Sequence, residues 1–352
     1  PIRLGQEFGG YARQTQLSIR RLEKLRDTLG ELPLGGTAVG TGINTHPRFA
    51  AKTILQLSKL TGLKLREAEN HFEAQSAKDA IVETSGVLKT IAVSLTKIAN
   101  DIGWLASGPR CGLGEITLPE TQAGSSIMPG KVNPVIAESA LMAAAQVIGN
   151  DLTVTIAGQS GVFELNVMMP VMAHNVLESI RLLSASAVNL TDRCVVGIQA
   201  NAERCSEMIE KSLAMCTALA PEIGYDAAAA IAKESYKTAK TVPEIPLEKK
   251  VLSPKRLKQI LDPIRMTKPS IVSTSSCVAG SIACRMRSPT NPPTSANGTL
   301  MMITNGCRKL SNSAASSRYV ITAARMNPGT NARMNSLSLA ADPLVRTLMS
   351  GG

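Results

Sequence analysis

Ile81, Leu88, Leu95 and Ile102 stand seven residues apart, and Ile91, Ile98 and Leu105 form a second row beside them. Apolar residues on this period line one stripe of a long helix, and such a stripe is stable only against other long helices. The spacing predicts a helix from near Glu67 to Ala106, close to 60 Å at about 1.5 Å per residue. Gly108-Pro109 closes it. The same logic recurs along the chain. Leu4, Phe8, Tyr11, Leu22, Leu25 and Leu29 predict a helix over 4–30, ended by Pro33 and Gly35-Gly36. Pro47 opens one that runs to about Leu60. An Ala-rich segment from Pro134 predicts another to Asp151, and Val176, Leu183 and Leu190 predict one over 163–190. Asn201 is a good N-cap with Glu203 following it, so a new unit is placed there. Its helices are expected near 202–218 and 225–236, with a short last one opened by Ser253-Pro254.

Composition supports packed helices. Hydrophobic residues make up 44% of the 352, but aromatics only 3%, so the core is built from Leu, Ile, Val, Ala and Met. No βαβ alternation is visible. The expected fold is therefore all-α: a central long-helix bundle over 1–200, a small C-terminal helical domain over 201–270, and a tail over 271–352. The tail carries eight of the basic residues and one acid, Asp342, which accounts for +7 of the net charge of +11. It is rich in Ser, Thr, Asn and Met, lacks Glu and shows no sustained period. Such a segment has too little patterned apolar surface to offset ordering entropy, so disorder is expected. Its single aromatic and the lack of any Lys/Arg run beyond two argue against a nucleic-acid arm.

The seven cysteines form no CxxC and no His-Cys cluster at metal spacing, so no metal is expected. Reduced thiols in a cytosol-like compartment are the expectation. No apolar run approaches the roughly 20 residues of a membrane span, so no membrane partner is expected. The chain begins at Pro1 without Met, and Leu4 is already within a helical pattern. This reads as a chain whose N-terminal part lies elsewhere.

One stretch breaks the helical pattern in a way a bland turn does not explain. Residues 124–134 read GSSIMPGKVNP. A Gly-Ser-Ser run can turn successive backbone N–H groups toward an anion. Lys131 adds a full charge, Asn133 a two-donor amide, and Glu138 follows on the next helix. These groups could hold a carboxylate and stabilise extra charge on it when a neighbouring carbon loses its proton. A serine in the loop could take that proton if the same donors stabilise its oxyanion.

Gly124-Ser125-x-x-Met128-x-x-Lys131-x-Asn133 resembles the signature of the fumarase/aspartase superfamily. LGGTAVGTGINTHP (34–47), HFEAQSAKDAIVE (71–83), SLTKIANDIGWLASGPRCGLGEI (94–116), FELNV (163–167) and CVVGIQAN (194–201) resemble class II fumarate hydratases throughout. The resemblance covers residues 1 to about 270 and stops at the tail. It implies reversible hydration of fumarate to (S)-malate, without cofactor, by a homotetramer whose central helices share one bundle. It implies Ser125 as the base that takes the C3 proton and Glu138 as the residue that orients the family's catalytic histidine. Ser126, Lys131, Val132 and Asn133 would contact the dicarboxylate. That histidine lies in a Thr-His stretch just before the family's equivalent of PIRLGQEFGG, outside this chain. So does an N-terminal domain with Ser-Ser-Asn and threonine contacts. The chain alone is therefore expected to be inactive. Aspartate ammonia-lyase shares the loop and is the competing reading, as is a non-enzymatic fragment that still oligomerises. A basic-tail binding protein is the remaining reading. His46 is expected to cap a helix, His71 to be structural and His174 to be packed among Met and Val. The Met-rich stretch 166–175 is expected to fill the core. The glycines of 34–42 lack the preceding strand and the Lys-Ser/Thr of a phosphate loop.

Overall fold

The computed structural model describes residues 1–269, and the expected tail lies outside them. The described residues are mostly helical, as expected, with only four two-residue strands paired two by two, and they group into two compact units. Of the described residues, one comprises Gly9–Gln199 and the other Pro1–Phe8 together with 200–269.

The larger unit is built on α4 (Asp79–Leu105), α5 (Val135–Gly158) and α6 (Met169–Arg193). α5 packs along both α4 and α6, and those two also touch each other. The heptad rows are where the packing occurs. Leu88, Leu95, Ile102, Ile91 and Ile98 are buried on α4, and Val176, Leu183, Ala187 and Leu190 on α6. α5 meets both through small residues: Ala137, Ala140, Ala144, Val147, Val154 and Ala157. Small side chains let the helix axes approach closely, and the interior stays dense. α1 (Leu4–Leu29) and α2 (Phe49–Thr61) are the longer helices before α4. α1 is tied to α4 through Tyr11, whose Oη donates to Asp101 Oδ2 at 2.8 Å while Lys97 lies 4.4 Å over its ring.

Two polar residues cross this apolar layer. Ser85 Oγ donates to Asp151 Oδ1 at 2.8 Å and Lys89 Nζ to Oδ2 at 2.5 Å, joining α4 to α5. Asn150 Nδ2 donates to Ser179 Oγ at 3.1 Å, joining α5 to α6. A buried polar group costs a kilocalorie or more if left unmatched, so sliding either neighbour by one turn is penalised.

Several sequence expectations are corrected. The helix expected over 67–106 is two helices, α3 (His71–Ser76) and α4. Asn70 caps α3 by accepting from Glu73 N at 3.1 Å, and Ala77 is extended, so the chain turns before Asp79. The helix expected from 163 starts at Met169. Before it, Val162 and Leu165 exchange backbone hydrogen bonds of 2.8 and 3.1 Å around a Phe163 with φ +49°. Asn166 is buried there: its Nδ2 donates to Ala157 O at 3.1 Å, and its Oδ1 accepts from Met168 N at 2.8 Å. Of the Met-rich stretch, Met172 is core while Met169 is half exposed. Among the described helices α5 alone is long and apolar enough, by length and composition, to cross a membrane, a test that packed core helices also pass, so the expectation of no membrane span is not overturned. Its apolarity follows from packing against helices on two sides.

The C-terminal unit is smaller. α7 (Ala202–Lys211) is followed by a 3-10 turn, Leu213–Ala218, so the helix expected over 202–218 is divided. Then come α8 (Ala220–Ile223), α9 (Tyr225–Thr238), α10 (Glu244–Glu248), α11 (Pro254–Ile260) and α12 (Pro263–Met266). Met215, Leu219, Ile231, Ile245 and Leu257 centre its own core.

Asn166→Ala strips a buried carbonyl of its donor and a buried N–H of its acceptor. Losing such partners costs about 1–3 kcal/mol. Urea unfolding of the larger unit is expected to shift by that amount, with the helix content at zero urea unchanged.

Candidate active site

The GSSIMPGKVNP stretch leads directly into α5, which opens at Val135 with Glu138 in its first turn. Its neck is closed by two contacts. Gly124 N donates to Lys131 O at 2.8 Å, and Asn133 Nδ2 donates to Gly124 O at 3.0 Å. Gly124 has to be glycine here: a Cβ would lie 2.4 Å from Lys131 O and 2.8 Å from Asn133 N. At the tip, Gly130 takes φ +76°, which reverses the chain toward Lys131.

Ser125 sits at the start of the tip. Its Oγ accepts from Ile127 N at 3.2 Å and from Met128 N at 3.1 Å. The two amides aim partial positive charge at that oxygen, the kind of backbone donor pair that can stabilise negative charge developing on it. Ser126, Lys131 and Val132 are exposed, as is Glu138 one turn into α5. Asn133 is half-buried and holds the neck with one of its two amide hydrogens. The structure thus brings Ser125, Ser126, Lys131, Val132 and Asn133 into one loop whose polar groups face solvent, with Glu138 at its base.

None of the three histidines has a hydrogen bond or ion pair to this loop among the described residues. His46 Nδ1 accepts from Arg48 N at 3.0 Å, next to the first residue of α2. His71 Nε2 lies 3.2 Å from Leu34 O and 3.5 Å from Glu67 Oε1, a structural role. His174 is a correction: it is exposed on α6, not packed. The glycines of 34–42 serve close packing. A Cβ at Gly36 would meet Gln75 Oε1 at 2.2 Å, and Gln75 Nε2 donates to Thr37 O at 2.9 Å. Among the described residues no group of three or more His, Cys, Asp or Glu could hold a metal ion. Cys111, Cys194 and Cys216 are free, and burial pushes the Cys194 thiol up to about 11.

Sequence reasoning did not foresee the paired amides on Ser125. The signal was present in the spacing: a serine accepting from the N–H groups two and three residues on is a common local turn.

Residues 1–149 match the family described as Lyase, and residues 215–268 match that described as Fumarase C C-terminus. The class II fumarate hydratase of Corynebacterium efficiens is 56% identical over 243 residues, covering 69% of this chain and 51% of that protein. A solved structure of a recombinant class II fumarase from Schistosoma mansoni superposes with a TM-score of 0.74 at 37% identity. It covers 76% of this chain and 59% of the other. A fumarate lyase:delta crystallin from Brucella melitensis, bound to cobalt, gives 0.73 at 49% identity, over 76% and 58%. The chain belongs to the fumarase/aspartase superfamily of lyases. Within it, the chain belongs to the class II fumarate hydratase family, and it spans about half the length of the curated relatives it matches.

Gly124→Ala forces the loop neck apart. If the loop serves the activity proposed below, this variant is expected to lose about 10²–10³-fold of it, the scale of a single lost stabilising donor. Its melting temperature is expected to stay within about 2 °C of the unsubstituted chain, because the loop lies outside the bundle core.

Proposed function

We propose that this chain contributes one wall of a fumarate hydratase site, acting on the fumarate/(S)-malate pair without a cofactor. The observation that carries the reading is Ser125, whose Oγ receives two backbone N–H groups inside a loop that also presents Lys131. As an oxyanion, Ser125 takes the proton from C3 of malate. The electron pair left on C3 moves into the adjacent carboxylate, which becomes a doubly charged aci-carboxylate. Lys131, the backbone at Val132 and the second amide hydrogen of Asn133 stabilise that charge, and Ser126 contacts the same substrate. Collapse of the intermediate forms the double bond, and the C2 hydroxyl departs as water once it receives a proton. Glu138 orients the group that gives this proton. By the family resemblance, that group is the histidine of the Thr-His stretch that precedes the equivalent of PIRLGQEFGG.

We further propose a homotetramer. The face of α5 turned away from α4 and α6 carries Met142, Leu152 and Ile156, all exposed, with Ala145 and Gly149 between them. An apolar stripe of this length is unusual on a monomer and is expected to pack against copies of the same helix. Replacing Leu152 and Ile156 by Glu is expected to convert tetramers to smaller species in light scattering. Tetramers that survive the double substitution would contradict this face as the interface. The proposed compartment is cytosolic, on the free thiols.

The same loop would serve aspartate ammonia-lyase, so substrate choice is tested directly. The chain is co-expressed with the remaining half of a class II relative, and malate and ammonia formation are followed. Fumarate hydration is expected, with none of the ammonia release. Ser125→Ala is expected to lower it by roughly 10²–10⁴-fold, the usual worth of a positioned base. Hydration that is unaffected by Ser125→Ala would remove the serine from the base role.

A further inference from the structure

We propose that a groove on the C-terminal unit, between α10 and the α11–α12 turn, binds an amphiphilic carboxylate: an anionic head on an unbranched apolar tail. The groove has a volume of about 720 Å³, within the range of sites that enclose a small organic ligand. Its floor is apolar and stiff. Leu247, Leu257 and Leu261 line it between Pro243, Pro254 and Pro263. Each proline fixes its own φ, which limits how far the lining backbone can move.

The charges on its rim are unequal. Lys255, Lys258 and Arg265 line the groove together with one acid, Asp262. Asp262 Oδ1 accepts from Ile264 N at 3.0 Å and keeps its charge, so the four charged lining residues leave a net charge of +2 on the rim. The neighbouring acids are committed. Glu244 Oε2 accepts from Thr241 N at 2.6 Å, and Glu248 Oε2 lies 2.6 Å from Lys240 Nζ. The nearby cations Lys249 and Arg256 are paired with Glu234 and Glu222. Lys255 and Lys258 therefore stand exposed without an ion-pair partner among the described residues, beside an apolar floor. A neutral apolar ligand would use the floor and waste the rim. A small hydrophilic anion would use the rim and leave the floor wet. An amphiphilic carboxylate satisfies both at once.

Equilibrium dialysis of the full chain against decanoate tests this, with decanol and decylamine as neutral and cationic controls. Saturable one-site binding of decanoate is expected, weakened several-fold by raising salt from low to 0.5 M because exposed pairs are screened. Lys255→Glu with Lys258→Glu is expected to weaken it about tenfold or more, and Leu247→Ser, at a half-exposed position, several-fold. All three positions are exposed, and circular dichroism confirms that the helices remain. Lys131→Ala, in the other unit, is expected to leave decanoate binding unchanged, which separates this groove from the dicarboxylate loop. Equal binding of decanol, insensitivity to the double charge reversal, loss on Lys131→Ala, or no saturable binding would each overturn the proposal.

Discussion

The close approach of α5 to α4 and α6 is the constraint on which the larger unit depends. Its alanines bring three long helices together, and Asp151 and Asn150 set where along their length they stop. Alanine contacts alone are weak specifiers, because a small side chain fits almost any hollow at almost any register. The Ser85–Asp151–Lys89 and Asn150–Ser179 contacts supply the missing register. With register fixed, the start of α5 is fixed, and with it the loop that ends at Pro134. The chemistry of the site thus inherits its position from a polar contact roughly four turns away along the same helix.

The loop then needs little from the rest of the molecule. Gly124 permits the two strands of its neck to touch, Asn133 and Lys131 hold them, and Gly130 turns the tip. Within that frame the amides of Ile127 and Met128 converge on Ser125. Donors of this kind are backbone groups held by covalent geometry, so they cost no reorganisation when charge appears. Lys131, Val132 and Ser126 are exposed, which leaves their polar groups open to solvent. The tension lies at Asn133, which serves both the neck and, in the proposed mechanism, the substrate. Its amide has two hydrogens, and the neck uses one.

Most of the bundle was legible because its signal is periodic. Leu88, Leu95 and Ile102 had to be buried on one face, and they are. The limits of the helices were less legible because they depend on single residues. Nothing in the apolar pattern marks Ala77 as extended, and nothing marks Asn166 as a buried anchor that delays α6 to Met169. His174 was misplaced for the related reason that its neighbours on the chain, Met172 and Val176, point the opposite way around the helix. The loop itself was legible as chemistry through Gly124, Ser125, Lys131 and Asn133. Its hydrogen-bond closure was not, since it arises from backbone groups that every residue carries.

The central claim is that Ser125 removes the C3 proton of malate. Its most direct test is hydrogen exchange at that carbon, followed by proton NMR in deuterated water with the assembled enzyme and malate. The account predicts deuterium incorporation at C3 that Ser125→Ala reduces by the same factor as hydration, while Lys131→Ala slows both. Incorporation at the unsubstituted rate in Ser125→Ala would contradict it.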